Sequence, residues 1–163
     1  MSLKNLSAKI KIPKVLKNKL NNKKIGQIYK EFVKAVNIDE NFIVAVSGGP
    51  DSLALAFLSK IYSIQKKLKV KFYIIDHKLR SESTIEAKFV KKILNRFKIN
   101  AEILYWQGKK PATNIQSEAR TKRFELLLSK CKKLRITHIL LGHHQEDLFE
   151  NFFIRFLRGS GLN

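Results

Sequence analysis

Cysteine is nearly absent from this chain: Cys131 is the single thiol among 163 residues. One thiol builds no internal disulfide framework and no cluster of sulfur ligands, so a reducing compartment is the natural setting and Cys131 reads as a quiet residue near a helix end. Long apolar runs are missing too. None approaches the roughly 18 residues of a membrane span, and the start of the chain lacks the unbroken apolar stretch of a secretory signal. A cytoplasmic protein with no membrane attachment is therefore expected. No stretch rich in proline, glycine and serine reads as a linker, and no internal repeat is present. Negative charge is scarce as well, with 13 acidic residues against 33 lysines and arginines and a formal net charge of +20.

Such an imbalance points to a polyanionic partner such as RNA. A lysine- and asparagine-rich compositional bias produces the same sum, so charge alone does not decide. With 44% apolar and 28% charged residues, the chain has the composition of a folded protein, and its length suits about one domain. Residues 1–36 hold ten lysines, one glutamate and no arginine. Organelle-targeting peptides are acidic-poor but typically arginine-rich, so a solvated basic arm over residues 1–24 is the preferred reading, followed by one domain over 25–163.

Apolar residues Ile25, Ile28, Tyr29, Phe32, Val33 and Val36 recur at the steps of an amphipathic helix. Phe42 to Val46 is a short β-branched and aromatic run that stops at Ser47-Gly48-Gly49-Pro50, where glycine frees the backbone and proline suits a first helical turn. The pattern repeats: strand-like Val70 to Ile75, a helix from about Thr84 to Phe97, strand-like Ala101 to Trp106, and a helix from about Asn114 to Lys132. Ser83 with Glu86, and Thr113 with Gln116, have the spacing of capping boxes. A last strand, Thr137 to Leu141, feeds His143 and a helix to about Arg158. Strands alternating with helices of this length predict an α/β fold, a doubly wound parallel sheet with helices on both faces. The chain stops at Asn163 directly after that helix and reads as truncated.

In an open parallel sheet, ligands sit beyond the carboxyl ends of the strands, where Ser47, Asp76 and His143 fall. Ser47, Gly48, Gly49, Asp51 and Ser52 offer backbone amides and two hydroxyls at a helix start, which suits phosphate through hydrogen bonds and the helix dipole. Asp51 repels a bare anion, so a magnesium ion between it and the phosphates is implied. No Gly-Lys-Ser or Gly-Lys-Thr follows the glycines, which disfavours terminal phosphoryl transfer. His143, Asp147 and Glu150 share one helix face, with Leu148, Phe152 and Phe156 forming a separate apolar stripe. Paired histidines beside acids also suit zinc, but the His-Glu-x-x-His spacing is lacking and magnesium is preferred. Arg120 and Arg123, three apart on a helix, suit a phosphate or a developing negative charge. Trp106 with Lys109 and Lys110 suits a base and phosphate contact, although a tryptophan ending a strand is more often core.

Ser47-Gly48-Gly49-x-Asp51-Ser52 after the first strand resembles the signature of the PP-loop ATP pyrophosphatases, with their adenine-nucleotide α-hydrolase-like fold. That superfamily cleaves ATP between the α and β phosphates. Three further segments narrow the resemblance: Asp76-His77-x-Leu79-Arg80; Asn114 with Ala119-Arg120-x-x-Arg123-Phe124; and His143-His144-x-x-Asp147-x-x-Glu150-Asn151 running on to Arg155, Arg158 and Gly159-Ser160-Gly161. Together, over about residues 40–162, they resemble the tRNA(Ile)-lysidine synthetase family. The resemblance implies a ligase that adenylates the wobble cytidine of an isoleucine tRNA, after which the amine of free L-lysine displaces AMP. It implies ATP and magnesium as cofactors and tRNA(Ile) as partner; a homodimer is compatible with the sequence but not argued by it. By the same resemblance, Asp51 and Asp147 hold magnesium or orient the lysine amine, and His143 or His144 contacts ATP or the activated cytidine. Asp76, His77 and Arg80 line the adenosine edge. Glu146 and Asn151 depart from the aspartate and threonine common there, and the family usually carries further helical and carboxyl-terminal domains.

The rival readings are a tRNA-thiolating relative, which tends to need paired cysteines, and a non-catalytic RNA-binding module, which predicts loss of the acids that are here kept as Asp51 and Asp147. A small-molecule ligase of the same superfamily is a third, and its activity would be indifferent to RNA.

Overall fold

The computed structural model describes residues 12–108 and 111–142. Two helices come first, α1 (Lys14–Leu20) and α2 (Lys23–Ala35). The Asn22 side chain starts α2 by accepting from the amides of Lys24 and Ile25 at 3.1 and 3.3 Å. The described part of the amino-terminal segment thus differs from a solvated arm. Ile12, Leu16 and Leu20 recur every four residues, Leu16 is wholly buried in the core, and Lys14, Lys17 and Lys19 stay exposed on the remaining surface. Burying one such side chain is worth roughly 1.5–3 kcal/mol, enough to dock a short helix that would not form alone.

Strand β1 (Phe42–Val46) is buried at all five positions and is followed by α3 (Pro50–Lys66), β2 (Val70–Asp76), α4 (Ser83–Arg96), β3 (Ala101–Tyr105), α5 (Ile115–Leu134) and β4 (His138–Leu141). All pairings are parallel, in the order β3-β2-β1-β4, with Phe42 opposite Val70 on one side and His138 on the other. Alternation along β1 divides the core. Phe42, Val44 and Val46 join Phe72, Ile74 and Ala101 beneath α1 to α4, while Ile43 and Ala45 join Tyr73, Leu104, Leu127 and Cys131 beneath α5. Helices cover both faces, as the doubly wound reading expects.

Neither capping box forms. The residue before α4 is Glu82, with no side-chain cap, because the Ser83 hydroxyl donates instead to Asp76 Oδ1 at 2.8 Å. Before α5, Asn114 takes a left-handed conformation at φ 52°, which starts the helix one residue beyond the expected Thr113 cap and leaves it without a side-chain cap. The strand run expected to end at Trp106 ends at Tyr105, yet the Trp106 amide still donates to the Asp76 carbonyl at 2.9 Å. Trp106 itself is 4% exposed and belongs to the interior. The helix expected from His143 to Arg158 lies outside the described residues, as do Lys109 and Lys110.

Candidate functional site

From β1 the chain moves outward through β2 to β3, then returns past β1 to place β4 on its other side. The reversal between β1 and β4 opens a crevice at their carboxyl ends, where open α/β sheets take ligands. Two glycines let the elements close in around it. Gly48 has φ +100°, and a Cβ there would stand 2.6 Å from Val90 Cγ2 of α4. At the end of β4, a Cβ on Gly142 would stand 2.9 Å from both N and Cα of Ser52. The loop after β1 is pressed against α4, and the end of β4 against the first turn of α3.

Ser52 ties the loop shut. Its hydroxyl accepts from the Gly48 amide and the Ser47 hydroxyl, each at 3.1 Å, and donates to the Gly49 carbonyl at 2.9 Å. With three bonds made and 2% exposure, Ser52 braces the loop. Helix α3 begins with Pro50 after Gly49, which supplies no side-chain cap. The positive end of this 17-residue helix therefore lies at the crevice, which Ser52 of its first turn lines.

The crevice holds a cavity of about 440 Å³, walled by Ser47 and Ser52 from the loop, Asp76, His77 and Arg80 after β2, Ser83, Glu86 and Val90 of α4, Arg123 of α5 and Gly142 after β4. Asp76 is 2% exposed. Its Oδ1 accepts from the Lys78 amide at 2.9 Å and the Ser83 hydroxyl at 2.8 Å, and its Oδ2 accepts from the Thr84 hydroxyl at 2.6 Å. Burial, the largest influence, pushes its pKa up; the bonds from Thr84, Ser83 and Lys78 together outweigh it, and the net shift is downward. Asp76 is thus a fixed anion that folds residues 77–84 back over the strand end.

The cavity's cations differ in setting. Arg80 pairs with Glu86 at 3.1 Å, and both side chains are more than half exposed, so the pair contributes about 0–1 kcal/mol and opens readily. Arg123 is half-buried, and burial first, then the like charge of Arg120, lowers its pKa. Its guanidinium stays protonated at that depth and is suited to an anion. The His77 ring meets the Trp106 indole edge-on, with centroids 6.2 Å apart.

A family profile described as the PP-loop domain matches residues 17–163. The chain belongs to that family. Membership implies ATP binding. The chain is 47% identical over 119 residues to the tRNA(Ile)-lysidine synthase of Orientia tsutsugamushi, covering 73% of this chain and 27% of that one. It is 40% identical over 137 residues to the enzyme of the same name from Bartonella henselae, covering 82% and 27%. The chain thus spans about a quarter of the length of these relatives. Among solved structures, the U34-tRNA thiolase NcsA of Methanococcus maripaludis superposes with a TM-score of 0.71 at 17% identity, covering 83% of this chain and 50% of that one. At that identity the likeness establishes the fold.

Of the residues picked out in the sequence, the cavity gathers Ser47, Ser52, Asp76, His77 and Arg80. Gly48 and Gly49 shape the loop, and Asp51 is exposed in the first turn of α3. Arg120 is exposed on α5 and not among the described cavity walls, whereas Arg123 is. His143, His144 and Asp147 lie outside the described residues, as do Glu146, Glu150 and Asn151. Sequence reasoning missed Thr84, Val90 and Gly142, and took Ser83 and Glu86 only as a cap. A buried aspartate at a strand end followed by Ser83-Thr84 was the available signal for the carboxylate's partners. Among the described residues no group of three or more His, Cys, Asp or Glu side chains converges on a metal position. Nor, among them, is any helix long and apolar enough to cross a membrane.

Proposed function

We propose that this PP-loop domain is the catalytic part of a cytoplasmic tRNA-modifying ligase that adenylates the wobble cytidine of an isoleucine tRNA and joins free L-lysine to it, forming lysidine. The observation that carries the reading is the uncapped start of α3 beside Gly48 and Gly49, opening into a cavity that also holds Arg123. Relatives named tRNA(Ile)-lysidine synthase, matched across this same region, support the choice of substrate.

In this reading the first-turn amides of α3 and the Ser47 hydroxyl hold the phosphates of ATP, and Ser52 keeps the loop in shape. The bond from the α phosphorus to the oxygen bridging the α and β phosphates breaks as the C2 oxygen of cytidine bonds to that phosphorus, so AMP passes to cytidine and the bridging oxygen leaves with pyrophosphate. Lysine then attacks C2, a C–N bond forms, and the C2 oxygen departs with AMP. Arg123 faces the charge that builds on the phosphates, and Arg80 exchanges Glu86 for a ligand anion. Asp51 and Asp147, whose hard carboxylate oxygens fit such an ion, would hold magnesium, which would supply charge to offset that of the phosphates, or would orient the lysine amine. His143 or His144 would contact ATP or the activated cytidine. The net charge of +20 favours the polyanionic tRNA.

Nucleotide release from α-labelled ATP by the full chain, with tRNA and lysine each supplied or withheld, tests this. AMP that requires tRNA, with lysine retained on the RNA, is expected. Asp51→Ala should lower AMP formation at least about a hundredfold, the scale of losing one electrostatic partner of the transition state, with an unchanged melting curve. Release of ADP, or of AMP indifferent to tRNA, would refute the substrate.

A further inference from the structure

Helix α4 has two stripes back to back. Ser83, Glu86, Ala87 and Val90, at steps of three and four, line the cavity. Ile85, Lys88, Phe89 and Lys92 repeat the same steps two residues on, about 200° around the helix, and all four are exposed. Ile85 is 69% and Phe89 62% exposed, the two most exposed large apolar side chains among the described residues. Arg96 extends the stripe by one turn and is exposed as well.

A solvated helix face suits lysines; it does not account for an aromatic and an isoleucine held in water between them. A base stacks on an aromatic ring while flanking cations meet its phosphates, and stacking of this kind tolerates any base. Charge selects the occupant. Residues 83–96 carry Lys88, Lys91, Lys92 and Arg96 against Glu86 alone, so a second copy of this chain would set like charges face to face, whereas a polyanion gains from each cation.

We infer that the Ile85–Phe89 face of α4 is a single-stranded RNA platform, with a base stacked on Phe89 and its flanking phosphates on Lys88 and Lys92. The inference rests on the tRNA-modifying reading and adds where the RNA is gripped. Phe89 lies roughly 9 Å along the helix from Ser83 at the cavity wall, and the helix is about 10 Å thick. A strand with one base in the cavity therefore crosses the amino-terminal rim of α4 and reaches the ring a few nucleotides away.

The test uses the full chain and a fluorescently labelled, unmodified isoleucine tRNA transcript, read by anisotropy across a salt series, with ATP affinity, thermal melting and sedimentation measured alongside. Phe89→Ala should weaken RNA binding about tenfold, and Phe89→Tyr should restore it, since either ring stacks. Lys88→Glu with Lys92→Glu should weaken binding and flatten the dependence of log K on log salt by about 1.4, two single-strand phosphate contacts. ATP affinity and melting should stay at wild-type values in all three. RNA binding unchanged in both Phe89→Ala and the double lysine variant overturns the platform and leaves the proposed function standing. A shift in sedimentation with RNA affinity intact overturns it in favour of a protein interface. Failure of the wild-type chain to bind the transcript overturns the tRNA reading, and the platform with it.

Discussion

Gly48→Ala isolates what the loop demands of its backbone. The new Cβ would stand 2.6 Å from Val90 Cγ2, where carbon atoms prefer about 3.5–4.0 Å, so roughly 1 Å of overlap must be relieved. Overpacking of that kind costs about 1–3 kcal/mol. Holding an L-residue at φ +100° costs about 1–2 kcal/mol more. Together the substitution should destabilise by about 3 kcal/mol, or about 6–12 °C in melting temperature for a chain of this size. Only the steric part involves Val90, whose own Cβ stands at an ordinary 3.9 Å. Val90→Ala alone should cost about 1.5 kcal/mol for its lost methyl burial. In the double variant the overlapping methyl is gone, so the two costs should fall short of additive by about 1–2 kcal/mol. Urea melts of the four proteins give the coupling directly. Additivity within about 0.5 kcal/mol would refute the contact as the source of the demand for glycine.

Asp76→Asn should destabilise by about 1–3 kcal/mol at neutral pH, because one of the two oxygens that accept from Ser83, Thr84 and Lys78 becomes a donor. The folded carboxyl titrates below its ordinary 3.8, so its contribution is complete above that value and is lost as pH falls through the folded pKa. The gap between wild type and variant, followed by denaturant melts, should therefore close in that acid range; a gap independent of pH would count against the assignment. Arg123→Ala should lower AMP formation at least about tenfold further than Arg120→Ala does, since Arg123 walls the cavity and Arg120 does not. Equal losses in a steady-state assay would contradict that ordering.

The sheet was legible because its signals are local. Phe42–Val46 is apolar at every position and ends at glycines, so both limits of β1 follow from composition along five residues. The ligand end of the sheet followed from topology, and Asp76 stands there. What escaped depended on tertiary contact. Ser83 is a good helix-capping residue in isolation; a buried carboxylate seven residues earlier captures its hydroxyl, and a charged acceptor outcompetes a backbone amide. Arg120 and Arg123 are equivalent on a helical wheel drawn without neighbours, and only the rotation of α5 against the sheet tells them apart. Lys14–Leu20 looked like a charged tail because ten lysines dominate the first 36 residues, while three apolar residues at four-residue spacing were enough to anchor it.

The contact between Gly142 and Ser52 joins two segments that are 90 positions apart in sequence with no compressible side chain between them. Flexible side chains cushion most neighbours in a protein and absorb small displacements by changing rotamer. Here main chain bears on main chain, so a shift of a few tenths of an ångström at the end of β4 has no side chain to absorb it before the start of α3. The ends of these two elements are thus set against each other by backbone alone.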